Sequence, residues 1–228
     1  MHKQIYEIWK KVGLNYFWGD LFDSRFFIAD LISKKKFNLI LDIGCGAGVL
    51  LHYTNADMKV GLDFSFDSLK KAKELEQEME LIQGDAKNLP FRDNLFPAIL
   101  AIHIISAFNE KEEWIKVSNE IKRVSSTKCF LILAGANRQS RHFRKTHTFE
   151  SRKAYLSYRT LEELFNDFEI SLEGYGPHSK LIMYPFRIIY HIPDKLPEVL
   201  MLEKLLYWFL KSKRYLKNGR SYVMICRK

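Results

Sequence analysis

Three carboxylates in the first half of the chain stand where chemistry is most easily built. Asp42 lies inside a short apolar run, Leu39–Ile43, two residues before the first glycine of Gly44-Cys45-Gly46-Ala47-Gly48. A strand that ends, a backbone that turns at glycines and a helix that begins make a loop a ligand can approach closely, because glycine carries no Cβ. Phosphate is a poor match for this loop. A P-loop needs Gly-Lys-Ser/Thr at its end, and here Gly48 is followed by Val49. The dinucleotide fingerprint G-x-G-x-x-G also fails at position 49. Asp42 itself would repel a pyrophosphate and suits a ligand with an ammonium or a sulfonium.

The second carboxylate, Asp63, ends the next expected strand, where it can accept hydrogen bonds from both hydroxyls of a ribose. The bland reading is a helix cap or turn residue. The third, Asp85, follows Glu80–Gln83 and Gly84. It can accept from an exocyclic amine of adenine, while the N–H of Ala86 can donate to a ring nitrogen. A cation at the first strand end, a ribose at the second and an adenine at the third together describe S-adenosylmethionine.

Around these positions the apolar pattern alternates between strand and helix. Strands are expected at Leu39–Ile43, Lys59–Asp63, Glu80–Gln83, Ala98–Ile105, Cys129–Ala134, Phe168–Leu172 and Tyr222–Cys226. Helices are expected at Val49–Asn55, Ser65–Gln77 and Glu110–Val124, with two more inside residues 4–33 and one opened by a Thr160/Glu163 capping box. Several strands are apolar throughout, which predicts a parallel sheet covered on both faces. Residues 175–218, with Pro177, Pro185, Pro193 and Pro197 and a helix from about Glu198, break the rhythm and read as an insertion before the last strand. The expected organisation is one domain over 1–228. It comprises a helical cap (1–36), a cofactor-binding core (37–174), a helical insertion or lid (175–218) and the last strand (219–228).

The segments LDIGCGAGVLL, VGLDFSFDSLKKAK, LIQGDAKNLPFRDNLF and AILAIHIISAF resemble, in order and spacing, the successive motifs of class I S-adenosylmethionine-dependent methyltransferases. The nearest type is the group that includes ubiquinone/menaquinone and tRNA wobble-uridine methyltransferases. The resemblance implies a Rossmann-like α/β fold: a seven-stranded, mainly parallel sheet with the last strand antiparallel. It implies cofactor contacts at Asp42, Gly44, Cys45, Gly46 and Gly48 for the methionine end. It further implies Asp63 and Phe64 for ribose and adenine, Asp85 and Ala86 for adenine, and the backbone around Ile102 and His103. Two departures stand out. Phe96-Pro97 replaces the usual Phe-Asp, and Ser106-Ala107 replaces a His pair found in many members.

Methyl transfer from a sulfonium needs geometry more than a catalytic signature. His103 is the candidate general base, with a core histidine bonded to backbone as the bland alternative. His142 and His147 lack metal-ligand spacing, and no metal site is expected. The Asn-Pro-Pro-Tyr/Phe motif of exocyclic-amine methyltransferases is absent, and the stretch reads His103-Ile104-Ile105-Ser106.

The acceptor would be chosen by what overhangs the strand ends. The candidates are the aromatic Tyr16–Phe22 region, the basic and aromatic segment 137–158, and the apolar insertion, whose helix runs into Lys211, Lys213 and Arg214. The expected partner is a small, apolar or lipid-like acceptor, with an anionic membrane surface as an option. RNA is the alternative, since net charge is +9. A cofactor-binding partner subunit without activity is a third reading, and DNA is not expected. No apolar stretch approaches the ~20 residues of a spanning helix. No secretory signal is read at the N-terminus. Cys45, Cys129 and Cys226 read as reduced, buried thiols, so the expected compartment is the cytoplasm.

Overall fold

In a computed structural model, the described residues are 24–108, 110–136, 158–175 and 221–228. They form α1 (Ser24–Ser33), β1 (Lys36–Ile43), α2 (Val49–His52), β2 (Asn55–Asp63), α3 (Phe66–Leu75), β3 (Glu80–Gln83) and β4 (Phe96–Ile102). After a 3₁₀ turn at Ile105–Ala107 come α4 (Lys111–Val124), β5 (Ser125–Ala136), α5 (Tyr158–Leu164), β6 (Glu169–Tyr175) and β7 (Ser221–Arg227). Residues 1–23, 109, 137–157 and 176–220 lie outside this set. With them go the expected first helix, the basic loop and the apolar lid helix.

The strands form one seven-stranded sheet in the order β3-β2-β1-β4-β5-β7-β6. β7 runs antiparallel to both β5 and β6, and the other described pairs are parallel. Side chains alternate between two buried clusters, as strand geometry requires. Leu41 and Ile43 of β1, Leu131 and Leu133 of β5, and Tyr222, Met224 and Cys226 of β7 point to the face covered by Val117, Ile121 and Val124 of α4 and Leu161 of α5. Ile40, Ile132 and Val223 point to the other face, against Ile28, Ala29 and Ile32 of α1, with α2 and Leu69 of α3. This is the expected α/β, Rossmann-like architecture with helices on both faces.

Several element boundaries differ from the sequence expectation. β1 starts at Lys36 and β2 at Asn55, so the helix expected over Val49–Asn55 is a single turn ending at His52. Thr54 closes that turn by donating its hydroxyl to Leu51 O at 2.6 Å. β4 starts at Phe96, and its pairing with β5 slips between Phe96 and Ala98. The irregularity sits at Pro97, which has no N–H to give the ladder. α5 begins at Tyr158, so Thr160 lies inside its first turn and is not the helix start. β4 ends at Ile102 rather than Ile105. The apolar run continues because Ile105 covers a sheet face, not because the strand does.

Candidate active site

The carboxyl ends of β1, β2 and β3 lie side by side, in register at Asp42↔Gly61 and Asp63↔Gln83. That register brings the three expected carboxylate positions to one edge of the sheet. Ile102, the last residue of β4, continues the edge beside Ala134 of β5.

The loop after β1 is shaped by its glycines. Gly44, Gly46 and Gly48 have φ of 74°, 54° and 72°, the left-handed region that other residues enter at a cost. The N–H groups of Gly44 and Cys45 both donate to Leu62 O, at 2.7 and 3.1 Å, which pins the loop onto β2. The three glycines differ in what surrounds them. A Cβ at Gly44 would stand 2.9 Å from Ile104 Cδ1, and one at Gly48 would stand 3.0 Å from both Ala72 and Met79. At Gly46 a Cβ would meet nothing within 4 Å among the described residues. The left-handed φ disfavours a side chain at all three positions, packing crowds it further at Gly44 and Gly48, and the middle glycine borders space that no described residue fills. Cys45 turns inward: its Sγ is 2.8 Å from where a Cβ on Gly61 would stand. Burial, with the nearby charges of Asp42 and then Asp63, pushes its thiol well up, so it is not a reactive thiolate.

Asp42 is 2% exposed. Desolvation first, and the charge of Asp63 second, raise its carboxyl to about 7. Asp63 is half-buried and already accepts twice: from Gly46 N–H at 2.8 Å and from Ser65 N–H at 2.9 Å. It ties the glycine loop to the tip of β2 and to the start of α3, where Ser65 caps by accepting from Ser68 N–H. Phe64, next in the chain, is 78% exposed, an uncovered ring beside the strand tips.

Asp85 accepts from Lys87 N–H at 2.9 Å, in a turn that also has Asn88 N–H donating to Asp85 O. Ala86 is buried at the core of this turn. His103 is not in β4: it is the first residue beyond it, with φ of 62°, and its N–H donates to Ala134 O at 2.8 Å. Its own carbonyl accepts from the Ser106 hydroxyl at 3.0 Å. A β-carbon-bearing residue in this conformation stores backbone strain at the edge that carries the three carboxylates.

Two supports were not visible in the sequence. Arg123 of α4 uses all five of its N–H donors. Nε and Nη2 bind Glu120, Nη1 binds Phe91 O and Asp93, and Nη2 also binds Leu89 O, at 2.7–2.9 Å. Glu120 in turn accepts from Leu89 N–H at 2.7 Å. This clamp fixes the loop that follows Asp85. Gly135, at the carboxyl end of β5, makes room for the buried Tyr222 hydroxyl, which would collide with a Cβ there. Among the described residues no group of three or more potential metal ligands occurs, and no helix is long and apolar enough to cross a membrane.

The geometry fits S-adenosylmethionine on two observations. Among the described residues, nothing fills the space at Gly46 and no cation faces the buried Asp42 carboxylate. A sulfonium or ammonium would supply that charge.

Comparison with known proteins agrees. The methyltransferase domain family matches residues 40–128. An uncharacterized protein of Methanocaldococcus jannaschii is 27% identical over 98% of this chain and 96% of its own length. A human probable tRNA methyltransferase 9B is 32% identical over 50% of this chain, but that match spans only 25% of the human protein. A phosphatidylethanolamine N-methyltransferase of Cereibacter sphaeroides is 35% identical over 37% of this chain and 44% of its own. Among solved structures, a Thermotoga maritima S-adenosylmethionine-dependent methyltransferase superposes with a TM-score of 0.61 at 17% identity, covering 99% of this chain and 96% of that one. The domain match over residues 40–128, the sheet order and the glycine loop agree: this part of the chain matches a methyltransferase domain, on the fold shared by S-adenosylmethionine-dependent methyltransferases.

Proposed function

We propose that the chain transfers the methyl group of S-adenosylmethionine to a small, apolar or lipid-like acceptor. The observation that carries the cofactor half is the contrast at the glycine loop, two positions crowded by packing and Gly46 open among the described residues, beside a buried carboxylate that faces no cation among them. In this reading Asp42 faces the charged methionine end, and the backbone of Gly44, Cys45, Gly46 and Gly48 lines it. Asp63 takes the ribose hydroxyls on the lone pairs left by Gly46 and Ser65. Phe64 lies against the adenine, Asp85 accepts from its amine and Ala86 N–H donates to its ring. Ile102 and His103 border the methyl.

When bound, the cofactor supplies an electrophilic methyl on a sulfonium. What remains for the protein is to hold the acceptor in line and, where the acceptor loses a proton, to receive it. His103 is the residue proposed for that proton. The lipid-like acceptor is supported by the apolar insertion between β6 and β7 and by the likeness to a phosphatidylethanolamine methyltransferase. The basic segment 137–158 would then hold an anionic headgroup or rest on an anionic membrane.

RNA is the second reading, favoured by the net charge and by the likeness to tRNA methyltransferase 9B. Incorporation of labelled methyl into total tRNA and into a lipid-soluble extract, run side by side, separates the two. The lipid extract should take the label. Labelling of tRNA alone, weakened by charge reversal at Arg141 and Arg144, overturns the lipid assignment.

A further inference from the structure

The loop between β3 and β4 contains a lysine, Lys87, to which no cofactor contact has been assigned. Lys87 Nζ lies 3.0 Å from Glu113 Oε1 on α4 and 3.8 Å from Asp85 Oδ2, and it stands 5.2 Å from the centre of the Phe108 ring. One ammonium thus touches three pieces of chain: the Asp85 turn, the first turn of α4, and the segment after β4. Phe108 is itself held, since its carbonyl accepts from Trp114 Nε1 at 2.7 Å.

Removing this charge would take from Asp85 and Glu113 the ammonium that both carboxylates approach. Asp85 is partly exposed, at 43% of its side chain, so it has room to swing outward. One of its oxygens is fixed by Lys87 N–H whatever the side chain at 87. The other, Oδ2, has only the Lys87 ammonium to orient it among the described residues. The Glu113 hydrogen bond raises the Lys87 ammonium above the ordinary lysine value, so it stays charged at neutral pH.

We propose that Lys87 is a positioning residue for adenine recognition: by pairing Asp85 with Glu113 it holds the Asp85 carboxylate toward the exocyclic amine and so sets the preference for adenine over a 6-oxopurine. This rests on the reading that Asp85 accepts from that amine. Inosine has an oxygen in place of the amine, and a carboxylate held there repels it.

The test uses S-adenosylhomocysteine and S-inosylhomocysteine as probes, titrated calorimetrically into the full chain. The quantity read is the ratio of the two affinities. Lys87→Met should lower the ratio about fivefold, with the inosyl compound bound within about twofold of wild type, as expected for loss of orientation at one charged hydrogen bond. Lys87→Arg, which keeps a cation, should restore it. A merely structural role would weaken both ligands together and leave the ratio alone. Should Lys87→Met lower the melting temperature below the working range, Lys87→Gln is the second variant.

Asp85→Ala separates the two ways of being wrong. An unchanged ratio in Asp85→Ala removes the adenine reading and this proposal with it. A ratio lost in Asp85→Ala but kept in Lys87→Met overturns the role of Lys87 alone.

Discussion

The two halves of the sheet edge are built differently. On the β1–β3 side, the site is made mostly of backbone: three left-handed glycines, paired N–H groups on Leu62 O, and a carboxylate that holds the loop it borders. On the β4–β5 side, the edge is made of side chains held against preference: His103 in a left-handed turn and Tyr222 admitted only because residue 135 is glycine. Backbone-built sites tolerate few sequences, and side-chain-built sites tolerate many. A ligand common to a whole family suits the first kind of site, and an acceptor that varies from member to member suits the second.

The largest expected effect lies on the first side. Asp63→Ala should weaken S-adenosylmethionine binding by about 100-fold, from loss of charge-assisted hydrogen bonds of about 1.5–3 kcal/mol each. It should also lower the melting temperature, because Gly46 and Ser65 lose their acceptor. Asp63 is therefore both a proposed ligand contact and a strut. Asp63→Asn keeps an oxygen for one of the two N–H donors and should recover much of the stability but little of the affinity. If calorimetry finds affinity unchanged in Asp63→Ala, the ribose assignment falls, and with it the contrast between the two sides.

The same contrast explains what was legible in the sequence. Gly44 and Gly48 could be read because a left-handed turn in tight packing admits only glycine, and Asp42, Asp63 and Asp85 because strand ends are marked by the change from apolar to polar. The end of β4 was not legible. Ile104 and Ile105 continue the apolar run for a different reason, covering the sheet after the strand has stopped. The Arg123 clamp was invisible because three of its four partner residues lie in a loop some thirty positions away, two of them offering only backbone carbonyls. No side-chain pattern encodes that. The segments proposed to choose the acceptor, residues 16–22, 137–157 and 176–218, lie outside the described residues.

Asp42 gives an intermediate effect with a definite sign. Its carboxyl sits at about 7 in the fold, against about 3.9 in an unfolded chain. Between those values the folded state holds the extra proton, so the stability of the ligand-free protein should fall as pH rises from about 4 to about 7. A cationic ligand favours the ionised form, so cofactor binding should release a proton and tighten as pH rises toward 7. Asp42→Asn should flatten both dependences. It should raise the ligand-free melting temperature at pH 8, by removing a desolvated charge, and weaken the cofactor there by about tenfold. Titrations in buffers of different ionisation enthalpy count the proton directly. Zero release in the wild type would mean that Asp42 does not meet the cofactor's charge.

The smallest effect tests the second side, at His103. Comparing His103→Ala with His103→Gly isolates the backbone, because both remove the imidazole and whatever it touches. Alanine keeps the Cβ that the left-handed conformation disfavours, at roughly 1–2 kcal/mol. Glycine relieves it but adds freedom to the unfolded chain, at roughly 0.4–1 kcal/mol. The glycine variant should therefore be more stable than the alanine variant by about 0.5–1 kcal/mol in urea denaturation. Equal stabilities would mean that the turn is not strained. The chemistry reads out separately. If His103 takes the acceptor's proton, both variants lose the acidic limb of the kcat profile while cofactor affinity holds. If both retain the wild-type profile, His103 only shapes the turn, and positioning alone carries the transfer on this side of the site.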